Sequence, residues 1–255
     1  MRLTNRTILI TGGTNGIGLA LATLLLERGN SVIISGRDES RLANAQRALP
    51  SVHVVQSDVS DPKAIQSLHA SLLARFPSLD VLVNNAGVMR NLKLAQSRDL
   101  RDVTREIDIN LSGPLRMVQQ FLPHLLTRPE AGIINVSSGL AFIPFTPAPV
   151  YSAAKAGMHA YTQVLRSQLA GTRIAVIELA PPGPETPLFR GEFAEETRGQ
   201  KAMDVTTVAK RAVAGIEAGT LEIRPGLPKV LRIVSRVAPG FMFRQITRMS
   251  TPRPH

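Results

Sequence analysis

The sequence predicts an α/β fold, a doubly wound Rossmann-like parallel sheet with helices on both faces, and three observations predict it. Short apolar runs rich in β-branched residues alternate with longer segments of helical periodicity along most of the chain, the pattern of a parallel sheet between two helical layers. The first run leads through the glycine-rich segment TGGTNGIG into a helical pattern. The length of 255 residues suits one large core, so residues 1–255 are interpreted as a single domain.

The elements follow one another in regular order. We predict strands at Thr7–Thr11, Ser31–Ser35, Val52–Ser57, Val81–Asn84, Ile133–Val136 and Ile174–Leu179. We predict helices at Ile17–Arg28, Glu39–Leu49, Pro62–Phe76, Leu100–Leu126 and Tyr151–Leu169. Each apolar run is ambiguous by itself, because a buried strand and a buried helix segment look alike. Their alternation decides the fold class.

Composition excludes several classes of protein. The chain has no cysteine, which excludes disulfides and thiolate metal sites, and its five histidines show no metal-ligand spacing, so no metal is expected. The net charge of +11 permits a nucleic-acid partner, but the aromatic content is only 4% and none is expected. The start of the chain lacks the apolar region of a signal peptide, and no run nears the roughly 18 apolar residues of a membrane span. A cytoplasmic location is the expectation.

The glycine-rich turn after the first strand predicts a dinucleotide seat. Gly12 permits a tight turn, while Gly16 and Gly18 let the backbone approach a ligand and let the helix pack closely. The N-terminus of the helix offers free N–H groups and partial positive charge to a pyrophosphate. Glycines also serve ordinary turns and packing, so this signal is weak by itself.

A tyrosine and a lysine lie four residues apart in the run YSAAKAG. On a helix, Tyr151 and Lys155 share a face. The cation would favour the phenolate and lower the pKa of the phenol, which suits proton transfer to or from a carbonyl. The same spacing also arises by chance, as a half-buried tyrosine beside a solvated lysine.

The order and spacing of all these pieces resemble the short-chain dehydrogenase/reductase family over about residues 5 to 190. The matching residues are Gly12, Gly16 and Gly18 in TGGTNGIG, Asn84-Asn85-Ala86-Gly87, Asn110 in IDINLSG, Ser138, Tyr151 and Lys155. The resemblance implies an enzyme that interconverts a ketone or aldehyde and an alcohol with a nicotinamide cofactor. The alternative is a dinucleotide-binding sensor or scaffold that has lost catalysis.

The resemblance also implies the catalytic roles. Tyr151 would be the general acid in reduction and the base in oxidation, and Ser138 would hydrogen-bond the substrate carbonyl. Lys155 would lower the pKa of Tyr151 and hold the nicotinamide ribose, and Asn110 would hold a water that relays protons to Lys155. Ser137 competes with Ser138, but the spacing of thirteen from Ser138 to Tyr151 fits the family. We therefore interpret Ser137 as structural.

Cofactor contacts are implied along the whole motif set. The residues are Gly12, Thr14, Asn15, Gly16, Ile17, Gly18, Arg37, Asp58, Val59, Asn85, Ala86, Gly87, Tyr151, Lys155, Pro181 and Thr186. Among them, Asp58 and Val59 resemble the pair that contacts the adenine.

The end of the second strand predicts the choice of cofactor. Gly36 lies where NAD-preferring relatives usually carry Asp, and Arg37 follows it as in NADP-preferring relatives. A guanidinium matches the geometry of a 2′-phosphate, so NADP(H) is favoured over NAD(H). Two alternatives stay open: Asp38 faces the ribose, or Arg37 and Asp38 only begin the next helix as solvated charges.

One segment departs from the family pattern. The family usually reads Pro-Gly-x-Val-x-Thr after the sixth strand, and this chain reads PPGPET, from Pro181 to Thr186. Pro184 then replaces the apolar residue whose backbone amide contacts the nicotinamide carboxamide in the family. Proline has no N–H, so that donor is missing, although Thr186 can still reach the carboxamide.

The substrate is predicted to be an apolar, fairly bulky carbonyl compound or alcohol. The residues in segments that line the family's pocket are Met89, Leu140, Phe142, Phe145, Leu188 and Phe189. Ordinary core packing explains any one of them equally well.

Residues 221–255 form an atypical basic extension. This segment holds seven Arg or Lys and a single acid, Glu222. Its apolar residues at helical spacing are Leu227, Val230, Leu231, Val234, Val237 and Ala238. The segment is interpreted as a cover for the substrate cleft or a subunit interface, and contact with an anionic membrane surface is the alternative. The Pro-Pro pair and the GFMFRQ ending resemble a bacterial branch named after D-alanylation operons.

Assembly is expected through two of the predicted helices. In the family, the segments at Leu100–Leu126 and Tyr151–Leu169 correspond to helices that form dimers and tetramers. Both carry more apolar residues than one buried face needs, namely Met117, Val118, Phe121, Met158, Val164 and Leu165. A homodimer or homotetramer is therefore predicted.

Overall fold

The computed structural model describes residues 1–199 and 201–250, without the side chains of residues 227, 229, 230, 249 and 250. Within these residues a seven-stranded parallel sheet has the order β3-β2-β1-β4-β5-β6-β7. The strands are β1 Thr7–Thr11, β2 Ser31–Gly36, β3 His53–Gln56, β4 Leu79–Asn84, β5 Ala131–Val136, β6 Ile174–Leu179 and β7 Glu222–Ile223. Every pairing is parallel, so the predicted doubly wound fold is confirmed.

Helices connect the strands. They are α1 Gly16–Glu27, α2 Glu39–Ala48, α3 Pro62–Arg75, α4 Leu100–Ile107, α5 Gly113–Leu126, α6 Pro149–Gln168, α7 Pro187–Arg190, α8 Val205–Glu217, α9 Leu227–Val237 and α10 Pro239–Ser250. A π-helical turn, Asp108–Ser112, separates α4 from α5, and a 3₁₀ turn occupies Gly139–Ala141. The elements β7, α7 and α8 were not predicted from the sequence. In the part of the chain that the structure describes, no helix is long and apolar enough to cross a membrane.

The sheet has a buried helical layer on each face. Ile8 and Ile10 of β1 pack in the core that includes α1, α2 and α8, whereas Leu9 packs in the core that includes α3, α5 and α6. This alternation follows from the two-residue period of a strand. Because both faces are covered, the strands carry continuous apolar runs instead of alternating ones.

The long helix predicted at Leu100–Leu126 is interrupted. The backbone N–H of Gly113 donates to the carbonyl of Asp108, five residues earlier, which widens one turn. Such single turns shift the side chains that follow and occur often at functional sites. Here the wide turn holds Asn110, which is fully buried. The prediction of one uninterrupted helix was therefore wrong at a site residue.

The apolar residues that motivated the assembly prediction are mostly internal. Met117, Val118, Phe121, Met158 and Leu165 are buried within the protomer. Of the six, only Val164 is exposed, at 55%. The inference from surplus apolar surface was therefore wrong for five residues, because they pack inside the protomer, four of them in the core that includes α3, α5 and α6.

Assembly through α5 and α6 stays a prediction, now carried by the exposed Val164. Light scattering across a dilution series should show a dimer or tetramer. Val164→Glu should raise the dissociation constant by about tenfold or more, because a buried charge without a partner opposes association. Leu94→Glu is the matched control, since Leu94 is exposed outside these helices. A wild-type monomer at high concentration would refute the prediction.

Candidate active site

A cleft lies at the carboxyl ends of the strands, beside the point between β1 and β4 where the strand order reverses. Its volume is about 1470 Å³. It is lined by all the site residues predicted from the sequence except Gly18 and Asn110. Those two lie behind its wall and support residues that do line it.

The glycine-rich loop leaves room and donors for a phosphate group. Gly12 and Gly16 have φ of +65° and +52°, in the left-handed region that favours glycine. A Cβ on Gly12 would lie 2.7 Å from the Cα of Ala86, and one on Gly18 would lie 2.6 Å from the Gly12 carbonyl oxygen. Asn15 precedes α1 without a side-chain cap. The first N–H groups of α1 therefore stay available to an anion at the cleft.

Hydrogen bonds tie the loop after β1 to the loop after β4. Thr11 Oγ1 accepts from the backbone N–H groups of Asn85 and Ala86, both at 3.0 Å. The Asn85 Nδ2 donates to the carbonyl oxygens of Thr11 and Gly12, at 2.9 and 3.0 Å. The side-chain amide of Asn85 thus holds the glycine loop in place. Thr11 had not been identified from the sequence.

Tyr151 and Ser138 meet inside the cleft. Tyr151 lies in the first turn of α6 and is 7% exposed, and Ser138 follows β5. Burial raises the pKa of Tyr151 to about 12, a hydrogen bond from Ser138 lowers it, and the nearby charge of Glu106 raises it further. The Ser138 Oγ also accepts the backbone N–H of Leu140, at 3.2 Å. The phenol is therefore protonated at neutral pH.

Lys155 is buried beside Tyr151 but does not bond to its hydroxyl group. The Lys155 Nζ donates to the Val136 carbonyl oxygen at 2.8 Å and lies 5.6 Å from the centroid of the Tyr151 ring. Burial lowers the pKa of Lys155 to about 8, although the charge of Glu178 raises it. The expected lowering of the Tyr151 pKa by this cation is not seen in the protein alone, where Lys155 is not among the groups that shift this pKa and desolvation of the phenol is the largest influence.

Asn110 holds the loop after β4 in place beneath the cleft. Its Oδ1 accepts the backbone N–H of Val88 at 3.0 Å, and its Nδ2 donates to the Val88 carbonyl at 2.8 Å. A Cβ on Gly87 would lie 2.9 Å from the Asn110 Oδ1 and 3.8 Å from the Lys155 Nζ. Gly87 thus allows the loop, Asn110 and Lys155 to approach one another. The water relay expected of Asn110 stays a prediction.

Ser137 has a separate partner, in agreement with its structural interpretation. Its Oγ donates to the Glu178 Oε1 at 2.5 Å, and the other carboxylate oxygen of Glu178 lies 2.7 Å from the His159 Nδ1. Glu178 is 1% exposed. This group lies behind Lys155 and contributes to its local charge. In the sequence, the signal for this group of side chains was Glu178, a single acid within the apolar run of β6.

Arg37 and Asp38, which follow β2, differ in their hydrogen-bond partners. The Asp38 Oδ1 caps α2 by accepting the Arg41 backbone N–H at 3.0 Å and the Ser40 hydroxyl at 2.7 Å. These bonds, the one from Ser40 first, lower the pKa of Asp38. Arg37 is exposed at the cleft, and only its carbonyl oxygen is bonded, by Gln56, within the described residues. Asp38 is thus occupied while the guanidinium of Arg37 is free.

The two residues expected to contact an adenine both lie at the cleft. Asp58 and Val59 both line it. The Asp58 Oδ1 accepts the backbone N–H and the hydroxyl of Ser60, at 2.8 and 2.7 Å. The carboxylate is thereby fixed at the cleft wall beside Val59.

The segment around Pro184 offers few donors. The N–H of Glu185 is taken by the Met203 carbonyl at 2.9 Å. The Thr186 hydroxyl donates to the Pro184 carbonyl at 3.3 Å and accepts from the backbone N–H of Phe189 at 3.2 Å. Its methyl group lies 3.0 Å from the position of a Cβ on Gly16. Thr186 therefore lies near the glycine loop, but its hydroxyl already serves as the cap of α7. Pro181 is buried in the wall beside this segment.

The substrate end of the cleft is mainly apolar. Of the residues predicted there, those that line it are Met89, Leu140, Phe145, Leu188 and Phe189. Phe142 does not, so that prediction was wrong. Its ring packs edge-on against His159, with the guanidinium groups of Arg224 and Arg232 over it, because the 3₁₀ turn directs it away from the cleft.

The C-terminal helices close one side of the cleft. The residues from α9 and α10 that line it are Pro228, Leu231, Met242 and Ile246. The first of these packs on the 3₁₀ turn, since a Cβ on Gly139 would lie 3.1 Å from the Pro228 Cγ. This agrees with the expected cover for the substrate cleft. The side chains of Leu227 and Val230, placed on the predicted stripe, and residues 251–255 lie outside the described part of the chain.

Known proteins share both the sequence and the fold. The family model for short chain dehydrogenase matches residues 6–197. An uncharacterized oxidoreductase of Bacillus subtilis (strain 168), DltE, is 39% identical over 247 residues, which cover 96% of this chain and 98% of that protein. DltE agrees with the branch that the C-terminal ending indicated.

Two solved structures have the same architecture. A short chain dehydrogenase from Burkholderia cenocepacia J2315, in complex with NADP, is 25% identical with a TM-score of 0.81 and covers 99% of this chain and 100% of that chain. A short chain dehydrogenase/reductase from Burkholderia phymatum, in complex with NAD, is 23% identical with a TM-score of 0.83 and covers 100% of both chains. The second similarity concerns the fold alone. The chain belongs to the short-chain dehydrogenase family of oxidoreductases.

Proposed function

We propose that the protein reduces an apolar ketone or aldehyde to an alcohol with NADPH, or catalyses the reverse reaction, with Tyr151 as the general acid and base. The observation that supports this most directly is the buried group of Ser138, Tyr151 and Lys155 in the wall of the cleft that the glycine loop opens. A binding protein has no need of a buried phenol and a buried amine at that place, because both cost desolvation free energy.

Tyr151 supplies the proton in reduction. With a pKa raised to about 12, the phenol stays protonated at neutral pH and can donate to a carbonyl oxygen. Ser138 interacts with the phenol and offers a second hydroxyl to the same oxygen. Two donors directed at one oxygen stabilise the negative charge that develops on it during reduction.

Lys155 positions the cofactor side of the site. Its bond to the Val136 carbonyl fixes the amine beneath Gly87 and beside Tyr151. Asn110 fixes the adjoining loop through Val88. We propose that Lys155 binds the nicotinamide ribose and that a water near Asn110 returns protons to it.

The cleft fits a nicotinamide dinucleotide. The loop at Gly12 and Gly16 has no Cβ where the backbone must approach a ligand, and the uncapped start of α1 supplies donors for a pyrophosphate. When bound, this cofactor supplies or accepts the hydride. The chain's own residues orient it and polarise the substrate.

The adenosine end supports NADP(H) over NAD(H). Arg37 is exposed there, and Asp38 is occupied by the cap of α2 and by Arg41, whose Nε lies 3.6 Å from the Asp38 Oδ2. Thr14 lies across from Gly36, where a Cβ would be 3.4 Å from the Thr14 Cγ2. The site therefore presents a free cation and no free acid to the 2′ position of the ribose.

One observation favours a second candidate, a dinucleotide-binding sensor without turnover. Pro184 has no N–H, the N–H of Glu185 is taken by Met203, and the Thr186 hydroxyl is used as a cap. Weak fixation of the carboxamide would misorient the ring that reacts. Tight NADPH binding without reduction of any carbonyl in a panel would select this candidate.

Tyr151→Phe should lower kcat for carbonyl reduction by about a hundredfold or more, because it removes the proton donor and keeps the ring. NADPH binding should stay within about twofold, measured by the fluorescence of the cofactor. Tyr161→Phe is the matched control, since Tyr161 is the other tyrosine of the chain and also lies on α6. Turnover close to wild type in Tyr151→Phe would exclude the proposed role.

Arg37→Ala should raise KM for NADPH by about ten- to a hundredfold and change KM for NADH little, because a charge-assisted hydrogen bond is worth about 1.5–3 kcal/mol. Gly36→Asp should shift the preference toward NADH, since the added carboxylate would face the ribose. Steady-state kinetics with both cofactors measure the two effects. If the wild-type protein prefers NADH, Arg37 does not select the cofactor as proposed.

The rate of reduction should be level at neutral pH and fall as the pH rises through about 8, the pKa to which burial lowers Lys155. A lowered lysine pKa means that the ammonium exists below that value and is lost above it. Tyr151 keeps its proton over the whole range. A profile of kcat/KM against pH tests this, and a break only at the ordinary lysine value of 10.5 would contradict it.

A further inference from the structure

Large apolar side chains are exposed where α9 meets α10. We name this surface the corner and define it by Ile233, Val237 and Phe241, which are 60%, 80% and 52% exposed. Scattered apolar residues on a surface are ordinary, but these three lie within nine consecutive residues, and Ile233 and Val237 are four residues apart on one side of α9. The corner is not needed to close the cleft, because other residues of the two helices do that.

Other residues of α9 and α10 already face the cleft. Leu231 on α9 approaches Gly139, whose added Cβ would lie 3.7 Å from the Leu231 Cδ1. Met242 and Ile246, one turn apart on α10, line the cleft. Each helix therefore has one apolar side turned to the cleft and a second apolar surface turned to solvent.

Cations surround the corner. Arg236, Arg244 and Arg248 are exposed. Arg244 and Arg248 follow Phe241 by three and seven residues, so they lie on the same side of α10 as that ring. The sequence contains no acid after Glu222. Glu222 itself is occupied by ion pairs with the guanidinium groups of Arg166, Arg224 and Arg232.

We propose that the corner docks on an anionic membrane surface, with its apolar side chains among the lipid headgroups and its arginines on their phosphates. A helix with apolar residues bordered by cations binds this kind of surface through buried area and charge together. A second copy of the chain fits less well, because a two-fold contact would place arginines against arginines. Nucleic acid offers phosphates but no apolar layer for Ile233 and Val237.

Vesicle co-sedimentation tests the proposal with the full chain. The protein should bind vesicles of phosphatidylcholine that contain about one third phosphatidylglycerol at least tenfold more tightly than vesicles of phosphatidylcholine alone, and added salt should weaken the binding. Docking does not depend on the proposed reaction, so Tyr151→Phe protein should bind equally well.

Two sets of substitutions separate the contribution of the arginines from that of the apolar side chains. Arg236→Gln, Arg244→Gln and Arg248→Gln together should weaken binding about tenfold or more, because each cation near such a surface contributes measurably. Val237→Ser with Phe241→Ser should also weaken it about tenfold. The matched controls are Arg47→Gln, Arg101→Gln and Arg173→Gln, which remove equal charge from exposed positions elsewhere, and Leu94→Ser with Leu100→Ser. Circular dichroism and melting temperature confirm that each variant is folded.

Four results would overturn the proposal. The first is no difference between anionic and neutral vesicles. The second is an equal weakening of vesicle binding by the corner arginine variant and by its control. That result would show that only the net charge of the protein matters, not the position of the arginines. The third is a change of oligomeric state in the Val237 and Phe241 variant with vesicle binding unaltered, which would make the corner a contact between copies. The fourth is binding to a DNA duplex without any binding to vesicles. If Val237→Ser with Phe241→Ser leaves that DNA binding unchanged, the arginines serve nucleic acid and not a membrane.

Discussion

The site depends on the hydrogen bonds that join the loop after β1 to the loop after β4. Parallel strands on either side of the reversal point send their connections to opposite faces, so a crevice opens between those loops. Thr11 and Asn85 close its base, with four hydrogen bonds of 2.9 to 3.0 Å. Because the loops meet there, Gly12 must lack a Cβ. The same loop continues to Gly87, where Asn110 and Lys155 converge.

Burial, rather than charge pairing, sets the resting state of the proposed catalytic group. Both Tyr151 and Lys155 lose hydration, and in each case the neutral form gains, so the pKa of the phenol rises and that of the amine falls. Lys155 directs its N–H to the Val136 carbonyl instead of the phenol. The protein by itself thus holds a proton on Tyr151, the form that a reduction requires.

The sequence predicted the layers and most of the candidate residues that line the cleft, because both follow from short local patterns. The bounds of β1 and β6 agree at both ends, and TGGTNGIG and YSAAKAG reach the same cleft. Periodicity did not show the wide turn at Asp108–Ser112, since the eight-residue α4 before it has too few apolar residues to reveal a shift of the stripe. The two-residue β7 is too short for any pattern, and the buried stripe of α8 includes alanines, which give a weak apolar signal.

Properties that depend on the third dimension were not available from the sequence. The spacing of Tyr151 and Lys155 gives their common face but not their burial, so the direction of the phenol pKa was misjudged. Phe142 is only two residues from Leu140, which lines the cleft. Only the geometry of the 3₁₀ turn shows that the Phe142 ring packs against arginines instead. The C-terminal stripe favoured a cover for the cleft or a subunit interface and left contact with a membrane surface as the alternative. The structure assigns Leu231, Met242 and Ile246 to the cover and leaves Val237 and Phe241 outside.

The decisive measurement for the proposed reaction is the transfer of deuterium to a ketone from NADPH labelled at C4 of the nicotinamide. Labelled cofactor of each stereochemistry would be incubated with the protein and a panel of apolar ketones, and the alcohols would be analysed by mass spectrometry. We expect one deuterium on the carbinol carbon with one of the two labelled forms, and none with Tyr151→Phe protein on the same timescale. If NADPH binds in the cleft and no ketone receives the label, the protein is not the proposed reductase.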